Sequence, residues 1–176
     1  MLYKFIGAII IYLLFILQTS FISVLPFPFS YFNIIIVSLV LGLLLLQFED
    51  ILLAVLITGI LLDIISWYFF GLHTSGLIFT LIVTYFFLVY FFTNKSVYSF
   101  IFLTLIATIT YEFYQVGIMA IAKFITKEET YSFAFSLSYF RNLTIELLLN
   151  TVFIIIAFYF ITYFSSALYS VVLRRK

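Results

Sequence analysis

The stretch Leu72-His73-Thr74-Ser75-Gly76-Leu77-Ile78-Phe79-Thr80-Leu81-Ile82-Val83-Thr84-Tyr85-Phe86-Phe87-Leu88-Val89-Tyr90-Phe91-Phe92 decides the architecture. It contains no Asp, Glu, Lys or Arg, and its apolar side chains come in continuous runs instead of alternating with polar ones. A helix needs about 20 mostly apolar residues to cross a hydrocarbon layer about 30 Å thick. Inside that layer no water bonds to exposed backbone, so a crossing segment is either a helix or a strand of a closed barrel. Continuous hydrophobicity selects the helix. The stretch predicts a membrane-spanning helix over 72–92.

The rest of the chain reads the same way. Of its 176 residues, 66% are hydrophobic and 23% aromatic, while only 9% are charged. A soluble domain carries roughly 25% charged residues, so this chain lacks the polar groups to cover a folded surface in water. A soluble enzyme and a disordered segment are thereby excluded. A formal charge of +1 leaves no electrostatic footprint for nucleic acid. There is no cysteine and a single histidine, His73, so disulfides, thiolate zinc sites and iron–sulfur clusters are excluded and no metal or cofactor site is expected.

Working outward gives a single all-α integral membrane domain over 1–176, a bundle of six transmembrane helices. The expected spans are 4–24, 31–47, 51–66, 72–92, 97–122 and 143–164. Pro26 and Pro28 stop the first, since proline lacks a backbone N–H and fixes φ. Its apolar run exceeds a signal-peptide core of roughly 7–15 residues, and no small-residue cleavage pattern follows, so it reads as a permanent anchor. Glu49-Asp50 and Glu128-Glu129 read as solvated turns. Between 123 and 142 apolar Tyr131, Phe133, Phe135, Leu137 and Tyr139 alternate with small or polar residues. That period of two fits an extended interfacial segment or an edge for a partner, and equally the start of the sixth helix.

Lys and Arg set the orientation. With the N-terminus cytoplasmic, Lys4, Lys95, Arg174, Arg175 and Lys176 lie inside, and Lys123, Lys127 and Arg141 outside. Both termini are therefore expected in the cytoplasm, with Trp67 and its aromatic neighbours at the outer interface.

Three acidic residues fall within spans, where an ionised side chain costs roughly 2.5–3.5 kcal/mol on insertion scales. They sit on polar stripes. Gly59, Asp63 and Ser66 share one face of the third helix. Thr104, Thr108 and Glu112, continued by Gln115, share one face of the fifth, and Asn142, Glu146 and Asn150 one face of the sixth. Arg141 is the cation nearest these carboxylates in sequence. Three carboxylates against one arginine leave surplus negative charge, so Glu112, the deepest, is expected to hold a proton. The stripes suit bonds between helices, or a proton or solute path. Gln18 could bond across the bundle or stay in interfacial water. With one histidine and no nucleophile–base–orienter set legible around it, no catalytic constellation appears, and the chain is expected not to be an enzyme.

These landmarks resemble the bacterial rod-shape-determining MreD family. Its recognisable stretch is a small-residue helix ending in Leu-Leu-Asp-Leu-(Leu/Ala)-Ser-Gly, then a turn and Leu-Gly-(Leu/Val). Here the matching residues are Gly59-Ile60-Leu61-Leu62-Asp63-Ile64-Ile65-Ser66 and Gly71-Leu72-His73. Leu17-Gln18-Thr19-Ser20 and Tyr111-Glu112 match two further family features. Departures are Phe32 before Asn33, where the family usually has proline, and Trp67-Tyr68-Phe69 in place of a Gly-rich turn. The resemblance implies a non-enzymatic component of the lateral cell-wall elongation machinery in the bacterial inner membrane. Its partners would be an MreC-like bitopic protein, MreB, RodZ, and RodA with its penicillin-binding partner. It also implies that Asp63 and Ser66 fix the turn between the third and fourth helices. The competing reading is a substrate-binding S-component of an energy-coupling vitamin transporter, a six-helix fold to which MreD is similar.

Overall fold

A computed structural model describes residues 12–92, 96–126 and 137–172. Among them there are six helices and no strand. They are α1 (Tyr12–Val24), α2 (Ile34–Leu45), α3 (Phe48–Ile65), α4 (Leu72–Phe91), α5 (Val97–Thr126) and α6 (Leu137–Val172). Three are long and apolar enough to cross a membrane: Leu72–Phe91, Val97–Ala122 and Leu137–Tyr163.

Sequential neighbours from α3 to α6 pack side by side, and α2 lies at the centre, touching every other helix. Its composition explains the position. In Ile34–Leu45 only Ser38 and Gly42 interrupt the aliphatic residues, and a helix that is apolar all round is a buried one. Ile36 and Val40 are fully buried, and Ile35, Leu39, Leu43 and Leu44 nearly so. Around α2 pack Val55 of α3, Leu77 and Leu81 of α4, Leu103 and Ala107 of α5, and Ile154 of α6. The outward surface is also apolar: Ile82 and Phe86 of α4, Phe113 of α5 and Ile156 of α6 are exposed.

Several boundaries differ from those read in the sequence. α2 is shorter than 31–47, because a 3-10 turn over Phe29–Tyr31 takes up its expected start and Asn33 caps it, accepting the Ile36 N–H at 3.3 Å. α3 begins before 51 and draws Glu49 and Asp50 into its first turn, where carboxylates favour the positive end of the helix dipole. They are helical residues, not a connecting turn. α5 runs past 122 to Thr126. α6 begins at Leu137, not 143, so the end of the alternating segment is helix; residues 127–136 of that segment lie outside the described residues, as do 4–11 of the first span. α1 does end before the prolines, its helix widening to a π turn over Leu17–Phe21 and tightening to a 3-10 turn over Ile22–Val24.

Candidate functional site

Polar side chains gather at two places, and the α3–α4 corner is the tighter. Gly59 lets the two helices meet: a β-carbon there would stand 2.6 Å from the Thr74 Cα, closer than packed atoms approach. One turn on, Asp63 is 4% exposed. The corner then closes through Gly71, whose φ of +99° is a left-handed conformation that glycine adopts without strain. Gly71 is also the N-cap residue of α4 and offers no side chain to the N–H groups left free in the first turn.

Asp63 supplies the missing cap from the neighbouring helix. Its Oδ1 accepts the His73 N–H at 2.8 Å; its Oδ2 accepts the Thr74 N–H at 3.1 Å and the Thr74 hydroxyl. A carboxylate holding three donors at a helix N-terminus is well placed both by hydrogen bonding and by the helix dipole. That accounts for an acidic residue in an apolar helix without any cation beside it.

His73 extends the corner to α5. Its Nδ1 lies 2.9 Å from the Tyr111 hydroxyl and 3.1 Å from Gln115 Nε2, and its Nε2 lies 3.2 Å from Ser66 Oγ. Gln115 Nε2 can only donate, so Nδ1 accepts and the ring proton sits on Nε2, facing Ser66. The structure thus places a hydroxyl beside the histidine, which the sequence spacing did not suggest. In this tautomer, however, the imidazole donates to Ser66 and takes no proton from it. Ser66 Oγ accepts the Tyr68 N–H as well, at 3.1 Å, which fixes the turn.

The second gathering lies along the α5–α6 seam and reaches α1 and α2. The stripes read from the sequence face one another here. Asn150, fully buried, donates from Nδ2 to Thr108 Oγ1 at 3.1 Å and accepts the Asn33 N–H on Oδ1 at 3.0 Å. Gln18 bonds across the bundle: its Nε2 donates to the Phe32 carbonyl at 3.2 Å and its Oε1 accepts the Ile34 N–H at 2.9 Å. A turn beyond Asn150, Glu146 is buried in the neighbourhood of Glu112, Asn33 and Asn150. Glu146 Oε1 and Asn142 Oδ1 are buried there without a hydrogen-bond partner.

Arg141 stands apart. It is exposed, and five residues before Glu146 it sits about 140° round the helix, since each residue turns about 100°. Among the described residues it forms no ion pair with Asp63, Glu112 or Glu146. No Lys or Arg occurs in α1 to α4. The candidates therefore divide into Asp63, Ser66 and His73 at the corner, Gln18, Glu112 and Glu146 at the seam, and Arg141 outside both.

Three contributors escaped the sequence reading. Asn33 carried a signal, an amide just before an apolar run, which marks a helix cap. Thr74 carried none, because Ser and Thr occur in every described helix, and Tyr111 was marked only by the family resemblance beside Glu112, not as a partner of His73. Among the described residues no group of three or more His, Asp or Glu could hold a metal ion. What the arrangement supplies is cross-links: a capped corner, a histidine tied to α5, and amides bridging α1, α2, α5 and α6. No protein-family model, curated protein or solved structure matches the chain.

Proposed function

We infer that the chain is a multi-pass protein of the bacterial inner membrane with both termini in the cytoplasm. It acts without catalysis in the lateral cell-wall elongation machinery, as MreD-type proteins do, and binds an MreC-like bitopic partner. MreB, RodZ, and RodA with its penicillin-binding partner complete the assembly. The observation that supports this reading is the use made of Asp63. The carboxylate of the motif that resembles MreD spends its oxygens on the first turn of α4. A residue so engaged sets the shape of a corner, as a docking scaffold needs, and has little left to offer a solute. The apolar outer faces of α4, α5 and α6 suit lipid and other helices.

The test is co-purification. The tagged chain would be expressed with the MreC-like bitopic protein of its own genome and extracted in mild detergent. A stable complex is expected, weakened by Asp63→Ala when equal amounts of extracted chain are compared. A stoichiometric vitamin bound to the purified chain, with no such complex, would overturn the reading in favour of the transporter component.

A further inference from the structure

The connection between α1 and α2, residues 25–33, has the chemistry of a segment built to stay out of water. The geometry points to a re-entrant loop: this connection lies within the hydrocarbon layer, its exposed aromatic rings against acyl chains. The inference rests on the reading that the bundle spans a membrane, and adds where its first connection sits.

Charge comes first. No Asp, Glu, Lys, Arg or His occurs between Lys4 and Glu49, so neither the connection nor its flanks carry a group that demands water. The exposed side chains are the wrong ones for a solvated loop: Phe27 is 63% exposed and Phe29 50%, following Val24 at 78%. In water they would form an apolar patch of the kind that marks a contact surface. In lipid they need no further cover.

The backbone is the harder requirement, because an unpaired N–H in hydrocarbon costs several kcal/mol and irregular backbone survives there only where it is satisfied. Here five of the seven N–H groups between 25 and 33 are paired, those of Phe27 and Ser30 being the exceptions. Pro26 and Pro28 have no N–H. Leu25, Phe29, Tyr31 and Phe32 donate to carbonyls three residues back, at 3.0–3.2 Å. Asn33 donates to the Asn150 side chain and Ile34 to Gln18, whose amide also caps the Phe32 carbonyl. The amides of α1 and α6 thus do for this loop what water does for an ordinary one. Phe32, 6% exposed, stacks on Phe153 of α6 with ring centroids 3.9 Å apart, which pins the loop to the bundle.

Length completes the case. α2 has 12 residues, about 18 Å at about 1.5 Å each. A hydrocarbon layer is about 30 Å thick, so about 40% of the crossing at α2 falls to its connections.

Fluorescence quenching tests the depth. Trp67 is the sole tryptophan, so Trp67→Phe gives a silent background into which Phe27→Trp, Phe29→Trp or Ile82→Trp is placed. Each full-length variant is reconstituted in phosphatidylcholine–phosphatidylglycerol vesicles with or without bromine on the acyl chains. Ile82, exposed on α4, reports whether the bundle itself is in the bilayer. Emission from positions 27, 29 and 82 is expected to fall by half or more with brominated chains and to resist aqueous iodide. Quenching of 82 by bromine, but of 27 and 29 by iodide alone, would overturn the re-entrant loop and leave the membrane reading intact. Failure of bromine to quench 82 would overturn both. The absence of native cysteine permits a second measurement: Phe29→Cys should resist a charged maleimide in intact vesicles and react in sodium dodecyl sulfate. Modification in permeabilised vesicles at the rate of Asp50→Cys would also overturn the proposal.

Discussion

Replacing Asp63 should cost more than any other single change at the α3–α4 corner, by an amount that can be worked from its contacts. The carboxylate holds two backbone N–H groups of α4 and the Thr74 hydroxyl, and is 4% exposed. A hydrogen bond to a charged group contributes about 1.5–3 kcal/mol, and a lost helix cap costs about 1 kcal/mol. In a membrane the unfolded chain finds substitute partners, and measured bonds between helices fall nearer the low end. Asp63→Ala is therefore expected to destabilise by about 3–4 kcal/mol. Asp63→Asn keeps one acceptor oxygen but turns an N–H₂ toward donors, and should cost about 1–2 kcal/mol. Thr74→Ala loses one partner and spares the backbone bonds, which limits its cost to about 1 kcal/mol. The assay is reversible unfolding in mixed micelles of increasing dodecyl sulfate fraction, followed by far-ultraviolet circular dichroism. The ranking Ala, then Asn, then Thr74→Ala is the signature of a cap. Wild-type stability in Asp63→Ala, or equal losses in Asp63→Ala and Asp63→Asn, would refute the reasoning.

The same unfolding assay checks four further outcomes. Gly59→Ala should cost about 1–3 kcal/mol, the usual range for overpacking, because its β-carbon would meet the Thr74 backbone; Gly42→Ala, which would meet only the Ile51 side chain at 3.4 Å, should be far milder. Asn150→Leu leaves the Asn33 N–H without an acceptor and Thr108 Oγ1 without its donor, and should cost about 1–3 kcal/mol, whereas Arg141→Ala should stay within about 0.5 kcal/mol of wild type. Glu112→Gln keeps the shape and hydrogen-bonding capacity of the side chain and removes the possibility of a second charge near Glu146, and should cost under about 1 kcal/mol. Ser66→Ala removes the acceptor of the Tyr68 N–H and of His73 Nε2; it should loosen the turn, seen as faster amide exchange at Tyr68, with a loss of about 1 kcal/mol.

Much of this arrangement could be read from spacing alone. Apolar runs bounded by Pro26 and by the Gly71 turn located the helices, because a chain so poor in charge has few ways to fold. The stripes through Asp63, Glu112 and Glu146 were legible for the same reason: polar residues at helical spacing in an apolar helix must face something other than lipid. What the stripes faced was not legible. Spacing shows that Asn150 and Thr108 each lie on a polar face, but only packing shows that those faces meet. Arg141 is the cation nearest the carboxylates in sequence, yet five residues from Glu146 it lies on another side of the helix. The span of α6 was drawn from 143 with the preceding segment left open between helix start and extended edge, because alternation and helix overlap over so short a segment, and α2 was drawn too long because apolar content does not reveal where Asn33 caps.

The cap on α4 joins residues ten and eleven apart, while the bond from Asn33 to Asn150 joins residues 117 apart. During synthesis the corner can close as soon as the first turn of α4 emerges, so Asp63 need not wait without partners for the remainder of the polypeptide. Asn33 has to wait. Its N–H meets its acceptor only when α6 is made, so until then the side-chain bonds of Gln18 alone tie the start of α2 to the bundle.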